Sequence, residues 1–209
     1  MNLEILVEEP SAERALSTLV PKIIGPRHGV AVHPFRNKPE LLAKIAGRLT
    51  GYSSWIGGAD TRIVVLVDRD NDDCTALKGV LEKAAADAGL RTVSATGGRP
   101  DGLVLNRIVV EELEAWFLGD VPALRAAYPR LPAGLEFQAR YRDPDAVVGG
   151  TWEALEILLR RYGYFGAGLA KTVAAAAIAQ HMNVESNRSA SFVAFRDGLR
   201  RLVGEGPYA

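Results

Sequence analysis

A single cysteine in 209 residues, Cys74, has no partner for an intrachain disulfide, so packing must hold this fold together. Histidine is nearly as scarce. His28, His33 and His181 are scattered along the chain, and none reads as a metal ligand. Net charge is missing as well: 25 Lys and Arg balance 25 Asp and Glu, which excludes a strongly basic nucleic-acid coat while leaving room for a local basic patch. No apolar run reaches bilayer length, because the longest soft stretch, "LAKTVAAAAIAQHM", is short and interrupted by Lys171. The opening "MNLEILVEEP" carries an acid at Glu4 and lacks the basic segment and small-residue cleavage site of a secretory leader. What is present is apolar content, 48% of residues against 24% charged, enough for a sizeable core. These features predict a soluble, globular, cytoplasmic protein.

Periodicity orders the chain. "LEILVEE" reads as a strand over Leu3–Val7, and Pro10 and Ser11 open a helix to about Ile24. "GVAVHPF" reads as a short strand or extended loop, "KPELLAKIAGRL" as a helix with Leu41, Leu42, Ile45 and Leu49 on one face, and "TGYSSWIGGAD" as loop. "RIVVLVD" has five aliphatic residues in a row, as expected of a central strand covered on both faces. A helix from about Thr75 to Ala88 then stops at Gly89. "RTVSAT" and "GLVLNRIVV" are two further strand candidates separated by a "GGRPDG" turn, and "EELEAWFL" starts a helix. Beyond it only helical patterns appear: "VPALRAAY", "TWEALEILLRRY", "GLAKTVAAAAIAQHM" and "SASFVAFRDGLRRLV". The expected architecture is an α/β domain over residues 1–130, with a mainly parallel sheet flanked by helices. A helical C-terminal extension over 131–209 packs on it, the boundary lying in "LPAGLEFQARYRDPDAVVGG".

"VLVDRDNDDC" places four carboxylates in six positions after the most strand-like segment. Two readings stay open. In one the acids form an Asx-rich turn, with Asp72 and Asp73 at the N-terminus of the following helix. In the other, Asp68 and Asp70 reach a hard cation from the carboxyl end of a central strand, where open α/β sheets bind ligands. Asp68 has little local reason to follow five aliphatics. An EF-hand loop counted from Asp68 would need Gly where Asp73 stands and Glu where Gly79 stands, so that reading fails. A haloacid-dehalogenase-like phosphatase also uses D-x-D, but on its first strand and followed by Thr or Val where Asp72 stands here; it is the weaker reading.

"LVEEPSAERAL" together with "VLVDRDNDD" resembles the two-part signature of the topoisomerase-primase (Toprim) domain: a strand-end Glu in an E-G-x-[ST]-like turn, then a hydrophobic strand ending in D-x-D. The match places Glu8 at the Toprim glutamate, Ser11 at the hydroxyl position, and Asp68 and Asp70 at the D-x-D; Glu9 stands where many members have Gly. More narrowly, "EEPSAE", "PFRNKPELLAKIAGRL", "VVLVDRDNDDC", "EELEAW" and "NRSASF", in that order, resemble a Toprim-like bacterial family, domain of unknown function 4276, related to the overcoming-lysogenization-defect (OLD) type nucleases. The resemblance implies a Toprim-like sheet and a Mg²⁺- or Mn²⁺-dependent nuclease acting on DNA or RNA, with Glu8, Asp68 and Asp70 as metal ligands and catalytic groups. It also implies extra metal-binding carboxylates at Glu112 or Glu114, a lysine approaching the phosphate at Lys171, and an anti-phage setting beside an ATPase partner. The rival class is a catalytically silent interaction subunit on the same fold.

The remaining candidates have plain readings beside functional ones. Leu113, Trp116 and Phe117 share a helical face, and acids at Glu112 and Glu114 are ordinary first-turn partners of a helix dipole. Lys171 reads as a snorkelling lysine. "FGAGLAKT" lacks the Gly before Lys and the preceding strand of a P-loop, so nucleotide hydrolysis is not expected. Arg36 and Lys38 in "PFRNKP", and Arg188 beside a helix start, are candidate nucleic-acid contacts, although such residues are most often simply solvated. Cys74 has no His nearby and reads as structural.

Overall fold

The computed structural model describes residues 1–57, 59–97, 99 and 101–205. Four strands, β1 (Asn2–Val7), β2 (Gly29–Pro34), β3 (Thr61–Asp68) and β4 (Val104–Val109), form one all-parallel sheet in the order β2-β1-β3-β4. Strand alternation divides its side chains between two cores. Leu6, Ile63, Val65 and Val67 face one layer, made by α2 (Lys38–Ile56) and α3 (Cys74–Asp87). Leu3, Ile5, Val7, Val64 and Leu66 face the other, made by α1 (Pro10–Ile24) and the helices after β4. Those are α4 (Glu114–Leu118), α5 (Val121–Ala127), α6 (Thr151–Arg161), α7 (Lys171–His181) and α8 (Ala190–Leu202). The five aliphatics of β3 are buried because both faces of this central strand are covered.

Two sequence expectations are corrected. The first part of "TGYSSWIGGAD" is not loop: α2 continues to Ile56, and only the residues after it leave the helix. Tyr52 and Ile56 extend the buried stripe of Leu41, Ile45 and Leu49, and burial outweighs the poor helix propensity of Thr, Gly and Ser. The hydroxyls of Thr50, Ser53 and Ser54 donate back to Ala46 O, Thr50 O and Gly51 O, so they compete little for other backbone groups. "RTVSAT" is not a strand either, since only Thr92 bridges to Val104. Its hydroxyl accepts the Ala95 N–H at 3.0 Å and turns the chain away. The "GGRPDG" turn falls on Gly98 and Pro100, which lie outside the described residues.

Residues between α5 and α6 form three short 3-10 turns, Leu135–Phe137, Ala139–Tyr141 and Pro144–Ala146. The helices that follow return to the sheet, and Trp116, Phe192 and Phe195 interlock at ring distances of 5.2 and 4.9 Å under β4. Trp116 Nε1 donates to Ser191 Oγ at 2.9 Å, which satisfies the one polar atom of that buried indole.

Candidate functional site

From β1 the chain crosses to β2 on one side and then to β3 on the other, so the sheet's switch point lies between the carboxyl ends of β1 and β3. Parallel α/β sheets bind ligands in that crevice. Glu8 and Glu9 follow β1 there, and Asp68 ends β3. The Asp68 N–H donates to the Glu8 carboxylate, which ties the two strand ends together. From β4, Glu111, Glu112 and Glu114 arrive at the same end.

Charge rather than coordination is the immediate result. Burial pushes Asp68 well above the ordinary Asp value, and Glu8, Glu114, Glu9 and Asp70 push it further. Asp68 keeps some solvent-accessible surface, but it sits deep among protein atoms. Burial raises Glu8 to about 7 against the opposing pull of the Asp68 N–H and Lys38. Burial likewise raises Glu114 to about 7, with Lys171 opposing and Glu9 and Glu112 adding to the rise. Glu114 is only 2% exposed, and its Oε2 has no hydrogen-bond partner. An unpartnered buried carboxylate oxygen is a feature that folding alone does not favour.

Two lysines answer the acids, one on each face. Lys38 Nζ lies 2.6 Å from Asp70 and 2.9 Å from Asp72 and donates to Arg69 O at 3.1 Å. Burial works to lower its pKa, but Asp70, Asp72 and Glu8 outweigh that and hold it high. Lys171, at the start of α7, sits 3.8 Å from Glu9 and 4.5 Å over the Trp152 ring. Burial again opposes its charge, and Glu114, Glu9, Glu112 and Asp68 overcome it, leaving the ammonium above the usual lysine value.

Beside the cluster opens a cleft of about 810 Å³ between the Arg69–Asp72 turn, Glu111 and Glu112, and the Ala146–Gly150 loop. Among the described residues Arg69 is the one cation lining it, and its guanidinium is paired with Glu111. Asp70 (φ 50°) and Glu111 (φ 62°) both adopt left-handed backbone, and the Asp70 N–H donates to Glu111 O at 3.0 Å. For Glu111 that conformation is strained, and strain of this kind tends to gather at functional sites.

The family description "Domain of unknown function (DUF4276)" matches residues 7–200, from the end of β1 into α8. The chain belongs to that family. No curated protein and no solved structure matches it.

In this DUF4276 domain, Glu8, Asp68, Asp70, Glu114 and Lys171 are thus gathered at one end of the sheet. Glu112 is close by, but its carboxylate accepts from Thr151 Oγ1 at 3.0 Å and Trp152 N at 2.8 Å, capping α6. Asp73 caps α3 through the Ala76 N–H at 2.7 Å, in keeping with the turn reading for that residue. Lys38 belongs to the acid site itself. Arg36 is solvent-exposed and 3.7 Å from Glu40. Arg188 donates to the carbonyls of Arg142, Leu118 and Tyr141 at 2.8, 3.1 and 3.3 Å, so its guanidinium ties the 3-10 segment to α4. Among the described residues no group of three acidic, His or Cys side chains is already arranged as a coordination shell. Sequence reasoning missed Arg69, Glu111 and Trp152; only the unusual Arg inside D-x-D offered a signal for any of them.

Proposed function

We propose that this protein is a divalent-metal-dependent phosphodiesterase acting on nucleic acid, built on a Toprim-like sheet. The observation that carries the reading is the gathering of Asp68, Glu8 and Glu114 at the switch point, each held above its ordinary pKa, with an unpartnered Glu114 oxygen and Lys171 alongside. Burying like charges together is costly unless a cation offsets them. The donors are all carboxylate oxygens, which suit Mg²⁺ or Mn²⁺. Asp68, Glu8 and Glu114 would hold the ion. Asp70 is already neutralised by Lys38, and Glu112 is engaged as a cap.

Such an ion, when bound, polarises a phosphoryl oxygen and lowers the pKa of water. The chain's own groups do the rest. In the alternative where Glu8 is not a ligand, its carboxylate beside Asp68 is placed to take a proton from the attacking water. Lys171, kept charged and seated on Trp152, offers positive charge to the developing oxyanion. Arg69 at the cleft wall would hold the substrate phosphate by exchanging it for its Glu111 partner. An anti-phage role beside an ATPase that selects the substrate belongs to the same proposal.

The Lys38 pairing favours a second reading, a silent interaction subunit in which a lysine stands in for the cation. Incubating the protein with labelled single- and double-stranded DNA and RNA, under Mg²⁺ or Mn²⁺, separates the two. The nuclease predicts metal-dependent cleavage lost in Asp68→Asn. No cleavage of any of the four substrates, with or without an ATPase partner, overturns it.

A further inference from the structure

One flank of α2, beside its buried stripe, carries exposed Lys44, Arg48 and Trp55 within about 40° of one another by helical arithmetic. Trp55 is 48% exposed and tilts against Tyr52 at 5.6 Å, which fixes the indole while leaving a face open. Arg48 rests 5.9 Å over Phe35 and, among the described residues, pairs with no carboxylate. The single acid of the stripe, Glu40, is shared between Lys44 at 2.6 Å and Arg36 at 3.7 Å, so the stripe with Arg36 carries a net positive charge. Gly47 and Gly51 lie between these residues, and a Cβ at either would meet nothing. Packing within this chain therefore does not require glycine there. Bare helix backbone admits a close partner.

We infer that this face of α2 binds single-stranded nucleic acid and leads it to the acid cleft. The inference rests on the phosphodiesterase reading for what the strand is led to, but not for the binding itself. α2 runs about 25 Å from Trp55 to Lys38; Lys38 lies about 100° around the helix from Trp55, on its buried side, and its ammonium contacts two residues lining the cleft, Asp70 and Asp72. A flat aromatic stacks on an unpaired base of any identity, and spaced cations follow a phosphate backbone. A duplex hides its base faces except at its ends, so the strand is single. A second copy of this chain is the less favoured occupant: pairing α2 with α2 across a two-fold axis would set Lys44 and Arg48 against their own kind.

The test is binding in EDTA, where cleavage cannot interfere, of fluorescein-labelled oligo-dT and oligo-rU 15-mers and a duplex of the same length. Single strands should bind more tightly than duplex. Trp55→Ala should weaken them by on the order of tenfold, the scale of one base–aromatic stack. Lys44→Ala and Arg48→Ala should each flatten the log–log salt slope by about 0.7. Intrinsic fluorescence gives a second readout: Trp116 is fully buried and Trp152 half-buried at the acid site, so quenching by oligo-dT should fall markedly in Trp55→Phe and stay unchanged in Trp152→Phe. Affinity unchanged in Trp55→Ala and in Arg48→Ala overturns the inference, as does a duplex preference or a protein that dimerises through α2 and binds no strand. The two proposals fail separately. Strand binding through Trp55 without metal-dependent cleavage sinks only the phosphodiesterase, whereas cleavage with an unchanged KM in both variants sinks only the α2 path.

Discussion

Replacing Glu114 by Gln removes one ionisable group from the most buried part of the site and keeps its shape. In the fold its pKa is about 7 against 4.5 in the ordinary state, so ionising it at high pH costs roughly 3 kcal/mol of folding stability. The sign follows from the direction of the shift. A raised carboxyl contributes stability that is fully present below about pH 4.5 and lost as pH rises through about 7. Glu114→Gln should therefore match the wild type near pH 5 and exceed it near pH 8.5, by about 6–12 °C in Tm for a chain of this size. The assay is thermal unfolding in EDTA across that range. Adding Mn²⁺ at pH 8 should then reverse the ranking, because the wild type gains stability from a bound ion and the variant loses a ligand. A variant no more stable than wild type at pH 8.5, or one whose gain is the same at both pH values, would refute the claim that this carboxyl is buried at a cost. Equal Mn²⁺ responses would refute its place at the ion.

Asp73→Ala should lower stability by about 1 kcal/mol through loss of the α3 cap while leaving the Mn²⁺-induced rise in Tm intact, whereas Asp68→Asn should abolish that rise. Arg188→Ala should lower Tm because three carbonyls lose a shared donor, yet leave the salt dependence of strand binding unchanged in anisotropy titrations. Gly47→Ala and Gly51→Ala, placed in open space within a helix, should each stabilise the fold by about 0.5–1 kcal/mol in urea unfolding, and each should weaken oligo-dT binding if the strand lies against that backbone.

The sheet was largely legible because its signals are local. Five aliphatics before Asp68 announce a central strand, and Pro10 and Gly89 mark a helix start and a helix stop where the structure has them. The two misread segments failed for a shared reason, tertiary context. Tyr52 and Ile56 find a buried surface that local propensity does not reveal, and Thr92 bridges to β4 at one point only, its hydroxyl engaging Glu82 and Ala95. For the site, pattern exposed the acids but not their partners. Lys38 reaches Asp70 across 32 positions, Glu112 caps a helix 39 positions later, and Arg188 holds carbonyls 46 and 70 positions back. Nothing in spacing distinguishes a capping Glu112 from a free one, or a structural Arg188 from a phosphate contact.

The balance of charge at the strand ends supplies the remaining step. Glu8, Glu9, Asp68, Asp70, Asp72, Glu111, Glu112 and Glu114 crowd one end of the sheet, answered by Lys38, Arg69 and Lys171. Eight carboxyls against three cations is a standing electrostatic cost. The cations are also unevenly placed. Lys38 serves the α2 side through Asp70 and Asp72, Arg69 is taken by Glu111, and Lys171 leans on Glu9. Between them Asp68 and Glu114 make no direct ion pair among the described residues, and Lys171 acts on both only through space, although a lysine or a hydrophobic residue at either position would relieve the strain. Capping accounts for Asp73 and Glu112, and pairing accounts for Asp70, Asp72 and Glu111. Neither accounts for two neighbouring carboxyls kept above their ordinary pKa at the switch point of a parallel sheet. The divalent cation proposed above would.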